Sequence, residues 1–262
     1  MTLTVSVADW SGRDYRRVSG LQRAVASESL AELVIEGGEW VLDIGCGDGF
    51  LTRELATRLP RGYVVGVDAS PRMVATAGQV GHCAPAGPVF VCADALRLPF
   101  GASFDMVVSF NALHWVPRLG DALAGIAAVL RPGGRALVQL VCDSARPSIE
   151  STAMLVARSP RWAAYFTGFS APFVHPDPAG FGELAESSGL RVESVTVRDH
   201  EWDFGSAEQF TAWCTVGGTA WTDLLPEAER AAFVDDMVNA YAPVTGRAGL
   251  LRLMQLRAEL HT

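Results

Sequence analysis

Residues 41–50 read VLDIGCGDGF: a short strand-forming run carrying one carboxylate, Asp43, and then glycine at every second position, Gly45, Gly47 and Gly49. A plain turn needs one or two glycines. Three in alternation imply that something bulky lies directly on that backbone, where a Cβ would collide.

Working outward from this stretch, two textures alternate. Short β-rich runs read WVLDIG (40–45), YVVGVD (63–68), VFVCAD (89–94), FDMVVSF (104–110) and RALVQLVC (135–142). Between them lie segments with helical spacing. FLTRELATRL (50–59) repeats leucine at 51, 55 and 59, and PRMVATAGQV (71–80) opens with Ser70 as N-cap and Pro71 in the first turn. A third helix near 119–130 ends at RPGG, whose proline and glycines are stop signals. Apolar strands alternating with helices predict an α/β fold, a doubly wound and mainly parallel sheet with helices on both faces.

The remainder departs from this alternation. Residues 144–189 hold helical pieces rich in aromatics (Trp162, Tyr165, Phe166, Phe169, Phe173). A long strand follows at 190–202, with Val192, Val195 and Val197 giving it one better-exposed face. Two helices are expected at 206–216 and 226–241, the second opened by Pro226. GLLRLMQLRAEL (249–260) reads as helix or strand, its alternation slightly favouring a strand, which would be the seventh. The division predicted is a binding core at 1–143, an aromatic cap segment at 144–189, and core strands with inserted cap helices (about 206–241) at 190–262.

Composition bounds the function. Nearly half of the 262 residues are hydrophobic, ample for a large core. A net charge of −8 argues against a sequence-independent nucleic-acid binder, which needs Lys/Arg for phosphates. The N-terminal residues show no secretory pattern, and no apolar run approaches the roughly 18–20 residues that span a bilayer. A cytoplasmic protein without membrane contact is expected. The five cysteines (46, 83, 92, 142, 214) form neither a CxxC pair nor a Cys/His cluster, so no metal site is expected. Cys46, Cys92 and Cys142, in or beside apolar runs, read as small buried hydrophobes.

In a doubly wound sheet, ligands bind beyond the carboxyl ends of the strands. Asp43 lies on the first strand, Asp68 ends the second and Asp94 the third, a series of acids along one edge. Asp68, 19 residues beyond Gly49, has the placement that holds a ribose diol. The loop, however, is GxGxG, with Phe50 where a dinucleotide loop has its third glycine. Asp48 adds a negative charge where a diphosphate would arrive, which disfavours an anionic ligand and an NAD-dependent dehydrogenase. A zwitterionic or cationic adenosine derivative stays open.

VLDIGCGDG, VVGVDASPRMV, VFVCADALRLPF and VVSFNALHWV resemble, in order and spacing, the motifs of class I S-adenosylmethionine-dependent methyltransferases. Residues 8–22 and 208–241 more weakly resemble the trans-aconitate methyltransferase branch. The resemblance implies a Rossmann-like seven-stranded sheet with a helical cap. Its cofactor would be S-adenosylmethionine, left after transfer as S-adenosylhomocysteine. It implies that Gly45, Cys46 and Gly47 lie against the cofactor and that Asp43 supports its amino group. Asp68 would hold the ribose, Ala69 and Met73 would pack near adenine, and Asp94 and Ala95 would face the adenine amino edge. Asn111 would border the methionine part, and Tyr15, on an N-terminal helix, would close the site.

Methyl transfer from a sulfonium is an in-line displacement, and a base is needed only where the nucleophile arrives protonated. His114, just past the fourth strand, is the candidate base, with pocket lining as its other reading. Trp115 reads as a packing residue or pocket wall, and His82, His175 and His200 as structural or exposed. The aromatics at 161–173 with Phe210, Trp213 and Trp221 read either as cap core or as walls of a pocket for a flat substrate. Arg13, Arg16, Arg17, Arg146 and Arg161 are available for a dianionic acceptor or for the solvated surface. O-methylation of a small-molecule carboxylate or hydroxyl is expected. C- or N-methylation, a nucleic-acid or protein methyltransferase, and a non-catalytic cofactor-binding protein are the alternatives.

Overall fold

The computed structural model describes residues 10–79 and 87–262. His82, Cys83 and Val80, the expected end of the helix opened by Pro71, lie outside the described residues. Two helices, α1 (Gly12–Val18) and α2 (Gly20–Glu32), precede the alternation. It then runs β1 (Trp40–Ile44), α3 (Phe50–Thr57), β2 (Tyr63–Asp68), α4 (Pro71–Gln79), β3 (Val89–Cys92), β4 (Phe104–Phe110), α5 (Leu119–Val129) and β5 (Leu130–Val141). There follow α6 (Ile149–Ala157), α7 (Phe181–Ser187), β6 (Arg191–Asp203), α8 (Ala207–Gly217), α9 (Thr219–Thr222), α10 (Glu227–Thr245) and β7 (Leu250–His261).

The seven strands lie in the order β3-β2-β1-β4-β5-β7-β6. β1 pairs in parallel with both β2 and β4, and the last strand, β7, runs antiparallel between β5 and β6. The order reverses between β1 and β4, and a crevice for a ligand opens at such a reversal. The alternation of side chains along a strand divides the core. Leu42, Val65 and Val107 pack with Leu123, Ile126 and Phe181 on the α5/α7 face, whereas Val41, Val64 and Met106 pack with Leu30 and Leu55 on the α2/α3 face.

Three local readings change. RPGG stops α5 as expected, but the chain re-enters the sheet at once: Leu130 pairs with Phe104, and Gly133 takes the positive φ of 78° that makes the bend. The aromatics at 162–173 lie in turns (Trp162, Tyr165, Phe166) and irregular chain (Phe169, Phe173) between α6 and α7 rather than in helices. Cys92, closing the edge strand β3, is exposed, because no further strand covers it; Cys46, Cys142 and Cys214 are buried.

Above the carboxyl end of β5 and the amino end of β7 a third apolar cluster joins α6, α8 and α10, with Trp162, Phe166, Phe210, Trp221, Phe233 and Tyr241 buried in it. Trp162 stacks edge-on to Phe233, and its indole N–H donates to Asp236 at 2.8 Å. These rings are the cap core. No described helix is long and apolar enough to cross a membrane.

Candidate active site

The glycine loop leaves β1 at the reversal point and is stitched to β2. The amides of Gly45 and Cys46 donate to the Val67 carbonyl, and the Gly47 amide donates to Asp68 Oδ2 at 2.9 Å. All three glycines have positive φ, from 55° to 78°. At only one of them is the Cβ position open. A Cβ on Gly45 would lie 2.1 Å from the Ala112 methyl, and one on Gly49 would lie 2.6 Å from the Phe90 ring. These two glycines admit neighbouring protein groups. At Gly47 nothing comes closer than the Tyr15 ring, at 3.9 Å, so this is the glycine whose missing Cβ leaves space uncovered by the protein's own groups.

The acids around the loop are not equivalent. Asp68 binds the Gly47 and Ser70 amides, one on each oxygen, which leaves lone pairs for further donors. Burial raises its pKa against the pull of those two amides. Asp43, 2% exposed, accepts from Thr52 Oγ1 at 2.7 Å. Burial, with the Asp68 charge adding to it, lifts its pKa to about 7 despite the Thr52 bond. Asp94 is exposed and accepts from the Leu96 amide. Met73 is buried, and Ala69 and Ala95 are partly exposed. The Cys46 side chain packs against Gly66, where a Cβ would meet it at 2.9 Å, so its thiol belongs to the sheet and only its backbone faces outward with the loop.

Asp48 does not repel ligands as its position in sequence suggested. Its carboxylate, buried, accepts from Arg16 Nε at 3.1 Å and Arg23 Nη2 at 2.6 Å. The charge is spent on holding α1 and α2 over the loop. That hold brings Tyr15 onto Gly47, and Trp10 packs on Tyr15 and, edge-on, on Trp115.

Beyond β4 and β5 a pocket opens between sheet and cap, with about 920 Å³ of empty space when the open solvent at its mouth is counted. Tyr15 and Asn111 border it, as do His114, Trp115, Trp213 and Trp221. Trp221 is therefore both cap core and cavity wall, and Phe210 is core. Asn111 takes φ +55°, and its side chain accepts from Gln255 Nε2, while Gln255 Oε1 accepts from Gln139 Nε2, each at 2.5 Å. This buried amide chain across β5 and β7 fixes Asn111 at the strand end.

His114 is 3% exposed. Its Nδ1 accepts a long bond, 3.5 Å, from the Val141 amide, which assigns the ring proton to Nε2. Burial, and secondarily the neighbouring His175, push its pKa down to about 3. The imidazole is neutral, and a conjugate acid this strong makes it a weak base. His175 is not isolated: its ring lies 6.2 Å from that of His114 and packs at a tilt on Phe173, with Nε2 3.9 Å from Glu150 Oε2. Sixty-one positions separate the two histidines (175 minus 114), so no local motif could join them. Gln139 and Gln255 had a signal in the sequence, a polar residue inside an apolar strand.

Residues 42–138 match a family model described as a methyltransferase domain. A trans-aconitate 2-methyltransferase of Mycobacterium tuberculosis is 33% identical over 186 residues, 70% of this chain and 69% of that protein. The chain belongs to the class I S-adenosylmethionine-dependent methyltransferases. S-adenosylmethionine is its cofactor. A methyltransferase of Schizosaccharomyces pombe is 37% identical over 130 residues, 48% of this chain, and the chain matches about half (49%) of that protein's length. In fold, this methyltransferase resembles a crystallised S-adenosylmethionine-dependent methyltransferase of Mesorhizobium loti at a TM-score of 0.55 and 21% identity, over 94% of this chain and 100% of that one.

Proposed function

We propose that this methyltransferase transfers a methyl group to a small molecule, on the oxygen of a carboxylate or a hydroxyl. The observation that carries the reading is a shared wall. Tyr15 covers the open Gly47 backbone and also lines the cap cavity, so the cofactor cradle and the space for an acceptor meet at one side chain.

The residues fit the cofactor: Gly47 offers main chain that a Cβ would cover, and Asp68 keeps acceptor capacity beside it. Asp68 would take the ribose hydroxyls, Asp43 would support the amino group, and the backbones of Gly45, Cys46 and Asn111 would border the methionine part. Ala69 and Met73 would pack on adenine, with Asp94 and Ala95 at its amino edge. Bound there, the cofactor supplies an electrophilic methyl group. The chain supplies position and dryness: Tyr15 and the cap rings exclude water, and His114, as a neutral imidazole, contacts the acceptor instead of taking its proton.

The trans-aconitate relative supports a small acceptor, as does a fungal O-methyltransferase of Penicillium expansum, 39% identical over 163 residues. With a net charge of −8 and no described helix long and apolar enough to cross a membrane, this proposal gives the chain neither nucleic acid nor membrane as a partner and places it in the cytoplasm. Calorimetric titration with S-adenosylhomocysteine, followed by labelled methyl transfer to a panel of phenols, alcohols and carboxylic acids, tests it. Failure to bind the nucleoside would end the proposal. Transfer to nitrogen or carbon alone would correct the atom.

A further inference from the structure

The cap cavity carries a carboxylate that the fold does not require to point inward. Glu150 stands in the first turn of α6, where a negative charge complements the helix N-terminus. An outward-facing glutamate would do that equally well. Instead the Glu150 side chain, 12% exposed, lies on the cavity wall, where it has no hydrogen-bonding partner among the described residues. Its neighbour His175 is 3.9 Å away, too far to bond, and His175 Nε2 is itself unpartnered. Burial holds the His175 pKa low, so the ring does not neutralise Glu150. The charge reaches the far wall: after burial, it is the cause that raises the Cys214 thiol.

Among the described residues, the guanidinium on the cavity wall is already paired. The chain has no lysine, so its arginines are the whole supply. Arg252, on the cavity wall, is held by both Nε and Nη2 on Glu201. Arg146 is paired with Asp199, Arg161 with Asp236, and Arg16 with Asp48. Arg13 and Arg17 are exposed and do not line the cavity. A carboxylate acceptor would thus enter an apolar space with a like charge already in its wall and, among the described residues, no unpaired guanidinium lining it.

Building on the methyl-transfer reading, we infer that Glu150 is a specificity-determining residue: the cavity takes an uncharged, flat or apolar molecule whose hydroxyl donates a hydrogen bond to this carboxylate, and it turns carboxylic acids away. The tryptophan walls supply faces for the apolar body. The inference narrows the acceptor from carboxylate or hydroxyl to hydroxyl, and the proton that this oxygen gives up as it takes the methyl group passes to the Glu150 carboxylate, not to His114.

A matched pair tests it. Protein saturated with S-adenosylhomocysteine is titrated with 4-propylphenol and with 4-propylbenzoate, wild type beside Glu150→Gln. The phenol should bind wild type at least about tenfold more tightly than the benzoate, and the variant should shrink that ratio to within about threefold. Benzoate binding as tightly as phenol, an unchanged ratio in the variant, or no binding of either probe would overturn the inference. The wild-type ratio decides by itself if the variant does not fold. Failure of S-adenosylhomocysteine to bind is a separate result, which removes the methyl-transfer reading instead.

Discussion

The Asp48 carboxylate meets the Arg23 guanidinium at 2.6 Å across the seam between the glycine loop and α2, and Arg16 of α1 binds the same oxygen. The middle acid of the glycine motif is thus a latch for the helices that carry Tyr15. Replacing it leaves two guanidinium groups beside the loop without their partner. Breaking a buried pair costs about 3–5 kcal/mol, but the two arginines are 28% and 40% exposed and water reaches them. Asp48→Ala should therefore lower unfolding free energy by about 1–3 kcal/mol and weaken S-adenosylhomocysteine binding through loss of the Tyr15 cover. Urea unfolding and calorimetry read the two effects. Wild-type stability together with wild-type affinity would show that the latch holds nothing.

Asp68 has two jobs that one pair of variants separates. It anchors the Gly47 and Ser70 amides now and, as proposed, binds ribose hydroxyls in the complex. Asp68→Ala should weaken cofactor binding by about 1.5–3 kcal/mol, the range for hydrogen bonds to a charged group. Asp68→Asn keeps an acceptor for one amide and should lose less stability than Ala while still losing most of the affinity. Unaltered affinity in Asp68→Ala would remove the residue from the cofactor site.

Asp43 makes stability depend on pH in the direction opposite to an ion-paired acid. Its pKa is about 7 when folded against an ordinary 3.8. Between these values the folded chain keeps a proton that the unfolded chain has released, so stability falls as pH rises through this window and levels off above it. The gap between 3.8 and about 7 bounds the effect at about 4 kcal/mol. Asp43→Asn removes the charge and can still accept from Thr52. Its stability relative to wild type should rise from about pH 5 to about pH 8 in urea unfolding. A difference that stays constant with pH would mean that Asp43 ionises normally in the folded protein.

How far the sequence reaches is clear from these three acids. The strands and the order of the motifs were legible because periodicity and glycine are local signals. β6 and β7 were harder, since an antiparallel edge pair obeys no βα alternation. The ambiguity of GLLRLMQLRAEL resolves only through pairing with β5 and β6. Charges near the loop were visible, but not their partners: Asp48 reads as a repulsive group until Arg23, 25 positions earlier, folds onto it. The glycines were legible as necessary, though two of the three are explained by Ala112 and Phe90, contacts that only the fold creates. Glu150 gave no signal at all, because an acid in a first helical turn is ordinary until its side chain turns inward.

His114 offers the sharpest contrast between two chemistries. With a pKa of about 3, its imidazole stays neutral throughout the range in which an ordinary histidine titrates. It therefore contributes no ascending limb near neutral pH to the rate profile. Its Nδ1 is engaged by the Val141 amide, which leaves Nε2–H as the polar group it can offer an acceptor. His114→Ala should lower kcat about ten- to a hundredfold, the scale for loss of one positioned donor, with cofactor affinity unchanged. His114→Gln restores an N–H donor but cannot serve as a base of comparable strength, and it should recover part of the loss. A base role predicts the reverse: His114→Gln as slow as His114→Ala, and a wild-type profile that rises through a pKa near 6 to 7. Measuring kcat against pH for all three proteins decides between them, because only the positioning role predicts both rescue by glutamine and a flat profile.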